Sequence, residues 1–560
     1  QSRSSAASDV YKRQAYGVSA LSGTMTAAAD NNVAIGYQAG AAITSGSGNT
    51  IMGQNAAVSF GANSDNIVIG QVAMDAADGT ETGNVCIGNS AMGAVDEGSG
   101  GQADYNVAVG FGALTGGALS SVNVNDNVAI GTNALNSTGT NASLGQIAIG
   151  RDALTALTSG DKNIAIGYKA HQSQTTGDRN TVIGYQAMYT ADAGEDFNTV
   201  IGSQAGYYIN NDASHDNVIV GKNALQGGTG TILGNVAVGT GAMESVSNNN
   251  QTGTVAIGSS ALNALTSGGS NTAVGYQSLR DQTAGASNTA IGHHSLIVAT
   301  GSDAAENTAV GALSGDAISS GQKNTIVGSE AAANRLTSGD KNTAIGAETL
   351  GKGGGANLTG NDNTCLGFQS GLALQGAGNQ NTAVGSQSGA SITTGQNNVL
   401  IGYQAGTSSS PVTVATENNQ LCLGNDSIAN SFIKVDWTTG SDIRDKTDIE
   451  TLPDAAGLNF VNQMRPVTYK WDNRSNYYSV GHKKYGERDH SKKLEQNEVG
   501  FIAQEVKELE KSIGWEDDHI VNTSDENKYK LMYSQVTPIL VKAIQELSQQ
   551  VEDLKKKVGD

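Results

Sequence analysis

Cysteine, proline, basic charge and long apolar runs are all scarce in this chain, and each scarcity removes a class of answer. Three cysteines in 560 residues give no disulfide framework. Cys86, Cys365 and Cys422 each stand two places before a glycine, in a slot that usually holds Ala, Val or Ile. They read as small apolar substitutions, not as metal or redox ligands. No run of about 18 apolar residues exists, so no segment is suited to cross a bilayer as a helix. The 32 basic residues are outnumbered by 52 acidic ones. The repeat region is acidic and low in charge with no Lys/Arg cluster, which argues against nucleic acid as a partner. The calcium-binding G-G-x-G-x-D nonapeptide is missing too, and neither metal nor cofactor is expected.

What charge and glycine there are divide sharply along the chain. Residues 441–560 carry 18 basic and 22 acidic side chains, against 14 and 30 in the first 440. Glycine runs the other way, with 6 after position 440 and 68 before it, and three of the four prolines (Pro453, Pro466, Pro538) also fall after 440. Such a shift marks a domain boundary. The opening QSRSSAASDVYKRQ, residues 1–14, lacks an initiator Met and an apolar signal core, and reads as translated sequencing adaptor. Residues 15–21 read as the remnant of a repeat.

One phrase, written most plainly at Asn342-Thr343-Ala344-Ile345-Gly346, fills residues 15–429. It occurs 22 times from Gly36 to Gly424, at steps of 17 to 22 residues. Self-similarity at this period means a stacked repeat architecture. The residue before each Gly is always apolar, which predicts that this side of a short strand is core and that the mostly Ala position before it faces a second surface. Asn opening each phrase suits the turn into a strand, and stacked Asn side chains predict a hydrogen-bonded ladder. A second short segment after each Gly, with Ala or Ser three places on and often Leu or Met next, predicts another wall of the same core. The expected fold is mainly β: a repetitive parallel β-solenoid shaft, then a junction with a closing strand (430–440), then a small α+β domain (441–560) ending in a coiled-coil helix.

The phrase resembles the head repeat of trimeric autotransporter adhesins, which implies a homotrimer of β-rolls. A polysaccharide-degrading spike would need paired carboxylates converging in a groove. Asp126, Asp161, Asp216 and Asp362 sit instead in turns, and His293-His294 reads as surface, so no catalysis is expected in the shaft.

In the last 120 residues, Gly440-Ser441-Asp442-Ile443-Arg444-Asp445-Lys446 is an ordinary turn by itself. Downstream, Arg465-Pro466-Val467-Thr468-Tyr469-Lys470-Trp471 predicts an edge strand beginning at Pro, and Gly500-Phe501-Ile502-Ala503-Gln504-Glu505-Val506 a strand-to-helix turn. A helix is predicted from Thr537 onward, with Leu540, Leu547 and Leu554 and Ile544, Val551 and Val558 forming an a/d seam.

This order of motifs closely resembles the endosialidase-type intramolecular chaperone, the self-cleaving C-terminal module of phage tail spikes and fibres. The resemblance implies that Ser441 is the nucleophile of a serine peptidase, Lys446 its general base, Asp442 and Arg444 its shaping residues, and Gly440–Ser441 the bond cut. Asp445 stands where an apolar residue is commoner. It further implies a homotrimeric tail fibre or tail spike of the virion, folded by its own chaperone, whose partner is a host cell-surface receptor, a glycan, without membrane insertion. A cellular trimeric adhesin carrying the same chaperone is the alternative, and a polysaccharide-degrading tail spike the second.

Overall fold

A computed structural model describes residues 12–559 apart from 96–100, 117–122, 138–141, 302, 352–354, 429–430, 433, 435–439, 473, 475–476, 478–482, 485 and 524–528. The closing strand expected over 432–437, and residues 1–11 of the opening segment, lie largely outside that description. The chain divides into two compact units, residues 1–352 with 356–361, and 353–355 with 362–560.

In both units the repeat folds as a parallel β-solenoid, about 22 turns in all. Each phrase supplies one three-residue strand, from Val33–Ile35 to Thr343–Ile345 in the first unit and from Thr364–Leu366 to Leu421–Leu423 in the second. Equivalent positions pair side by side, as in Val33 with Thr50, Ala34 with Ile51 and Ile35 with Met52. One more coil precedes the first full phrase, because Gln14–Tyr16 pairs in the same register with Val33–Ile35.

The two faces of the strand are the reverse of the sequence expectation. The middle residue points inward and is fully buried, as at Ala34, Ile51, Val68, Ala108 and Ala344. The residue before each Gly points out: Ile345 is 41% exposed beside an Ala344 at 0%. A three-residue strand offers one inward side chain, and a coil of 17 to 22 residues encloses a thin core that small residues fill. Apolarity therefore marked the outer face, and the alanine marked the inside.

The segment after each Gly closes the core from the other side. Ala134 and Leu135, three and four places after Gly131, are fully buried. This wall is not a strand, since Asn133 (φ 55°) and Leu135 (φ 49°) take left-handed backbone that side chains resist. Stacking holds them there, for Asn133 N–H donates to Phe111 O at 2.9 Å and Leu135 N–H to Ala153 O at 2.9 Å.

The Asn that opens most phrases (Gln146, Thr254 and Gln420 replace it in three) is buried and forms a ladder. Asn66 Oδ1 accepts from both the backbone N–H (2.9 Å) and the side-chain amide (3.1 Å) of Asn84, whose Nδ2 also reaches Ala103 O at 2.7 Å. The same exchange joins Asn381 to Asn363 and Asn398 to Asn381 in the second unit. Every amide hydrogen so used would otherwise be a buried orphan.

Beyond the shaft, the second unit holds a small α+β core. Helices α1 (Leu458–Gln463), α2 (Ala503–Ser512) and α3 (Tyr533–Val558) surround it, with Val467–Tyr469 pairing antiparallel to Glu498–Gly500. Phe460, Met464, Val506, Ile520, Val521, Val536 and Ile539 form the buried cluster. Helix α3 begins four residues before the predicted Thr537, with Pro538 inside its first turns. Pro538 is the sixth residue of the helix, so it forgoes one backbone hydrogen bond, to Ser534 O, near the N-terminal end.

Candidate functional site

At the start of the C-terminal domain the chain makes one short turn that gathers four of the sequence's candidate residues. Asp442 caps a 3-10 turn over Ile443–Asp445, its Oδ1 accepting from Arg444 N–H at 2.9 Å. Asp445 N–H and Lys446 N–H close the turn on Asp442 O and Ile443 O, each at 3.2 Å. That bend returns Lys446 towards Ser441, and Lys446 Nζ donates to Ser441 Oγ at 2.6 Å.

Asp442 and Arg444 form a forked pair, with Nη2 to Oδ2 at 2.5 Å and Nε to Oδ1 at 3.0 Å. The Arg444 guanidinium holds the Asp442 carboxyl below the usual carboxylate range, and its own proton is held more tightly in return. The pair therefore stiffens the turn that carries Ser441 and Lys446. Gly440 offers no side chain to crowd the peptide before Ser441, and an added Cβ there would meet open space. All of residues 440–450 are exposed in the single chain, the Asp445 side chain included.

The domain behind this turn is braced by groups that the sequence did not single out. Glu546 on α3 reaches across to cap α1, accepting from Leu458 N–H at 2.7 Å. Lys542, one turn earlier, bridges Asp454 (2.8 Å) and Glu546 (3.2 Å). Both lie 88 residues from their partners, so no local pattern announces them. Arg465 forks onto Glu505 with its Nη2 at 2.5 Å, tying two of the recognised motifs together.

Among the described residues, two apolar surfaces are left open. One is the α3 seam, where Leu540, Ile544, Leu547, Val551, Leu554 and Val558 are all exposed while Val536, Ile539 and Ala543 pack inward. A hollow of about 240 Å³ lies beside it, lined by Met464, Pro466, Phe501, Tyr533 and Leu540 among others. The other is the outer strand face of the shaft, where Ile35, Ile130, Ile201, Ile257 and Ile291 recur coil after coil in the first unit.

Of the shaft's candidates for chemistry, the aspartates serve the backbone. Asp126, Asp216 and Asp362 take left-handed turn conformations, and Asp161 Oδ1 accepts from Leu144 N–H at 3.1 Å. Asp192, Glu195 and Asp212 bring carboxylate oxygens within 4.8 Å of one another. Burial pushes the Glu195 carboxyl up to about 7, yet both its oxygens already accept from the loop, from Asn211 N–H at 3.0 Å and Ala193 N–H at 3.1 Å. His293 and His294 stack on each other at 3.9 Å on the coil surface, and both rings lie against Tyr276. The three cysteines are buried strand-centre residues, far apart in sequence and each free.

Residues 441–514 match the model of a known family, described as the chaperone of endosialidase. The match begins at Ser441, the residue paired with Lys446. No curated protein and no solved structure matches the chain. A chaperone-of-endosialidase segment after a parallel β-solenoid of about 22 turns fits a tail fibre or tail spike with a C-terminal intramolecular chaperone.

Proposed function

We propose that this chain is a homotrimeric phage tail fibre or spike that attaches the virion to a glycan on the host surface. Its C-terminal domain aligns three shafts, folds them, and then releases itself by cutting Gly440–Ser441. The 2.6 Å contact between Lys446 Nζ and Ser441 Oγ carries the cleavage reading, because it unites a nucleophile with a base beside a peptide bond.

The chemistry balances within the chain. Ser441 Oγ attacks the Gly440 carbonyl carbon, forming a C–O bond while the Gly440–Ser441 C–N bond breaks. Lys446 accepts the hydroxyl proton and returns it to the departing nitrogen. Water then hydrolyses the ester, leaving a Gly440 carboxylate and a free Ser441 amino terminus. Because the substrate is already in place, proximity supplies much of the acceleration.

A lysine serves as a base only when water is kept from its ammonium form. In the single chain every residue from 441 to 450 is exposed, so the cover must come from outside it. Two further copies meeting along the α3 seam and the outer strand faces would supply such a cover, which makes cleavage a check on completed assembly. Neighbouring coils are alike, so chains aligned only by their shafts could pair out of register. A terminal domain removes that choice, and its departure leaves a shaft whose unfolding is slow.

The test is a denaturing gel with intact mass on the full chain beside Ser441→Ala and Lys446→Ala. Wild type is expected to lose a fragment beginning at Ser441 while both variants stay whole. A wild type that stays whole although folded and trimeric would remove the peptidase from this reading and leave a retained cap.

A further inference from the structure

We infer that the shaft carries a local oligosaccharide platform at Tyr168, Tyr185, Tyr189, Tyr207 and Tyr208 with Lys169, an assignment that rests on the attachment role proposed above. Five of the chain's 17 tyrosines fall in these three coils. Tyr168 stacks on Tyr185 with ring centroids 5.4 Å apart, and Tyr189 on Tyr207 at 5.2 Å. Tyr208 sets its ring edge to Tyr207 at 4.6 Å. Lys169 Nζ lies 5.6 Å from the Tyr168 ring and 5.7 Å from the Tyr189 ring, so its ammonium joins the two columns.

The chemistry of this surface fits a sugar. Pyranose rings present apolar C–H faces and a rim of hydroxyls, and tyrosine offers both an apolar ring and a polar tip. Tyr185 and Tyr208 are half exposed, and the amides of Gln186 and Gln204, 3.4 Å apart, belong to the same two coils. Few rotatable bonds and ring-on-ring stacking hold the tyrosines in place before any ligand arrives, which lowers the entropy lost on binding. The two rings of each pair are 5.2 to 5.4 Å apart, about the length of one sugar unit, so a glycan lying along the coils can meet two rings in succession.

The distribution of the patch separates a sugar from a second copy of the chain. A contact between parallel shafts repeats at every coil, as the outward isoleucines do. Paired tyrosines do not repeat at every coil: the position after Gly holds Ser203, Lys222, Thr240 and Ser259 on the four coils that follow, and its other tyrosines, Tyr37, Tyr276 and Tyr403, have no tyrosine in that position on a neighbouring coil. A feature confined to a few coils is a site on the rod, not its seam.

The experiment uses the full chain on an array of capsular and lipopolysaccharide oligosaccharides, with Tyr185→Ala, Tyr207→Ala and Lys169→Ala. Tyr37→Ala and Tyr403→Ala, exposed tyrosines on distant coils, are the controls. The expected result is that wild type and controls retain one oligosaccharide class. The three patch variants lose at least about tenfold in affinity with melting temperature and oligomeric state unchanged. If the patch variants bind as wild type does, this inference fails and glycan attachment stands at another place. If wild type binds no oligosaccharide, the glycan reading and the platform fall together. A patch variant that loses its oligomeric state assigns these tyrosines to the subunit interface and overturns the platform.

Discussion

Asn235 Oδ1 accepts from the backbone N–H of Thr254 at 2.9 Å, and on Thr254 the asparagine ladder stops. Thr254 Oγ1 is buried without a hydrogen-bond partner and cannot reach the next coil, where Asn271 resumes the series by handing its Oδ1 to Asn288 N–H at 3.0 Å.

Thr254→Asn should therefore repair the shaft. The new side chain would donate to Asn235 and accept from the Asn271 backbone and amide, for a gain of about 1 kcal/mol. A rise in the denaturant midpoint of shaft unfolding checks this, and a fall would mean that the Thr254 slot is too narrow for an amide.

The outward isoleucines should matter to assembly and not to the single coil. Ile201→Asp with Ile257→Asp changes residues already more than a third exposed, so the fold of one chain should lose no more than about 0.5 kcal/mol per site. Light scattering should nevertheless read one copy where wild type reads three. The Ser441 cut should vanish with the trimer. A trimeric, self-cleaving double variant would place the subunit interface elsewhere.

His171 occupies a core slot that holds Leu154, Leu225 or Met188 in other coils, and it is fully buried with neither ring nitrogen hydrogen-bonded. Burial pulls its imidazolium down to about 4. Below about pH 6.5 the unfolded chain takes up a proton that the folded chain refuses, so stability falls as pH drops from about 6.5 to about 4. The loss amounts to about 3 kcal/mol at most. His171→Leu should abolish that part of the slope in acid denaturation series. Glu195, raised by burial, acts in the opposite sense in wild type and variant alike and cancels in the difference.

Burial pushes the Cys365 thiol up to about 12 and raises that of Cys86 as well. Neither forms thiolate near neutral pH, and Cys86 Sγ packs against the sulfurs of Met74 and Met92 at 3.6 and 3.2 Å. Iodoacetamide at pH 8 should leave both unmodified in the native protein and label both in denaturant, as read by peptide mass. Modification of native Cys86 would show that its coil opens.

Much of this was legible because repetition averages out local ambiguity. Twenty-two copies of one phrase fix the strand, the Gly corner and the Asn ladder more firmly than any single copy could. Alternation along the strand was legible too, but not which side was inside. Ile345 looked like core because it is apolar, and apolarity alone does not say which of two strand faces the coil encloses. In the C-terminal domain the short turn from Ser441 to Lys446 is local, and local sequence places both side chains. The Glu546 cap on Leu458 is not, since it depends on two helices 88 residues apart meeting at one angle. The early start of α3 was hidden by Pro538, a residue that helix interiors rarely hold.

The glycine column sets the grain of the shaft. Gly36 holds φ at 135°, and a Cβ there would lie 2.5 Å from Gly53 O, so the corner is closed by the next coil and by nothing else. Within each unit, coil after coil meets its neighbour through the same glycine, in most cases the same asparagine, and the same strand positions. A coil can therefore be spliced in or out between any two others without new joinery, whereas half a coil fits nowhere. Such a stack of coils lengthens in whole steps of roughly 4.8 Å. Its reach can be reset by duplication or loss of one repeat, while the folding module and any surface patch elsewhere stay as they were.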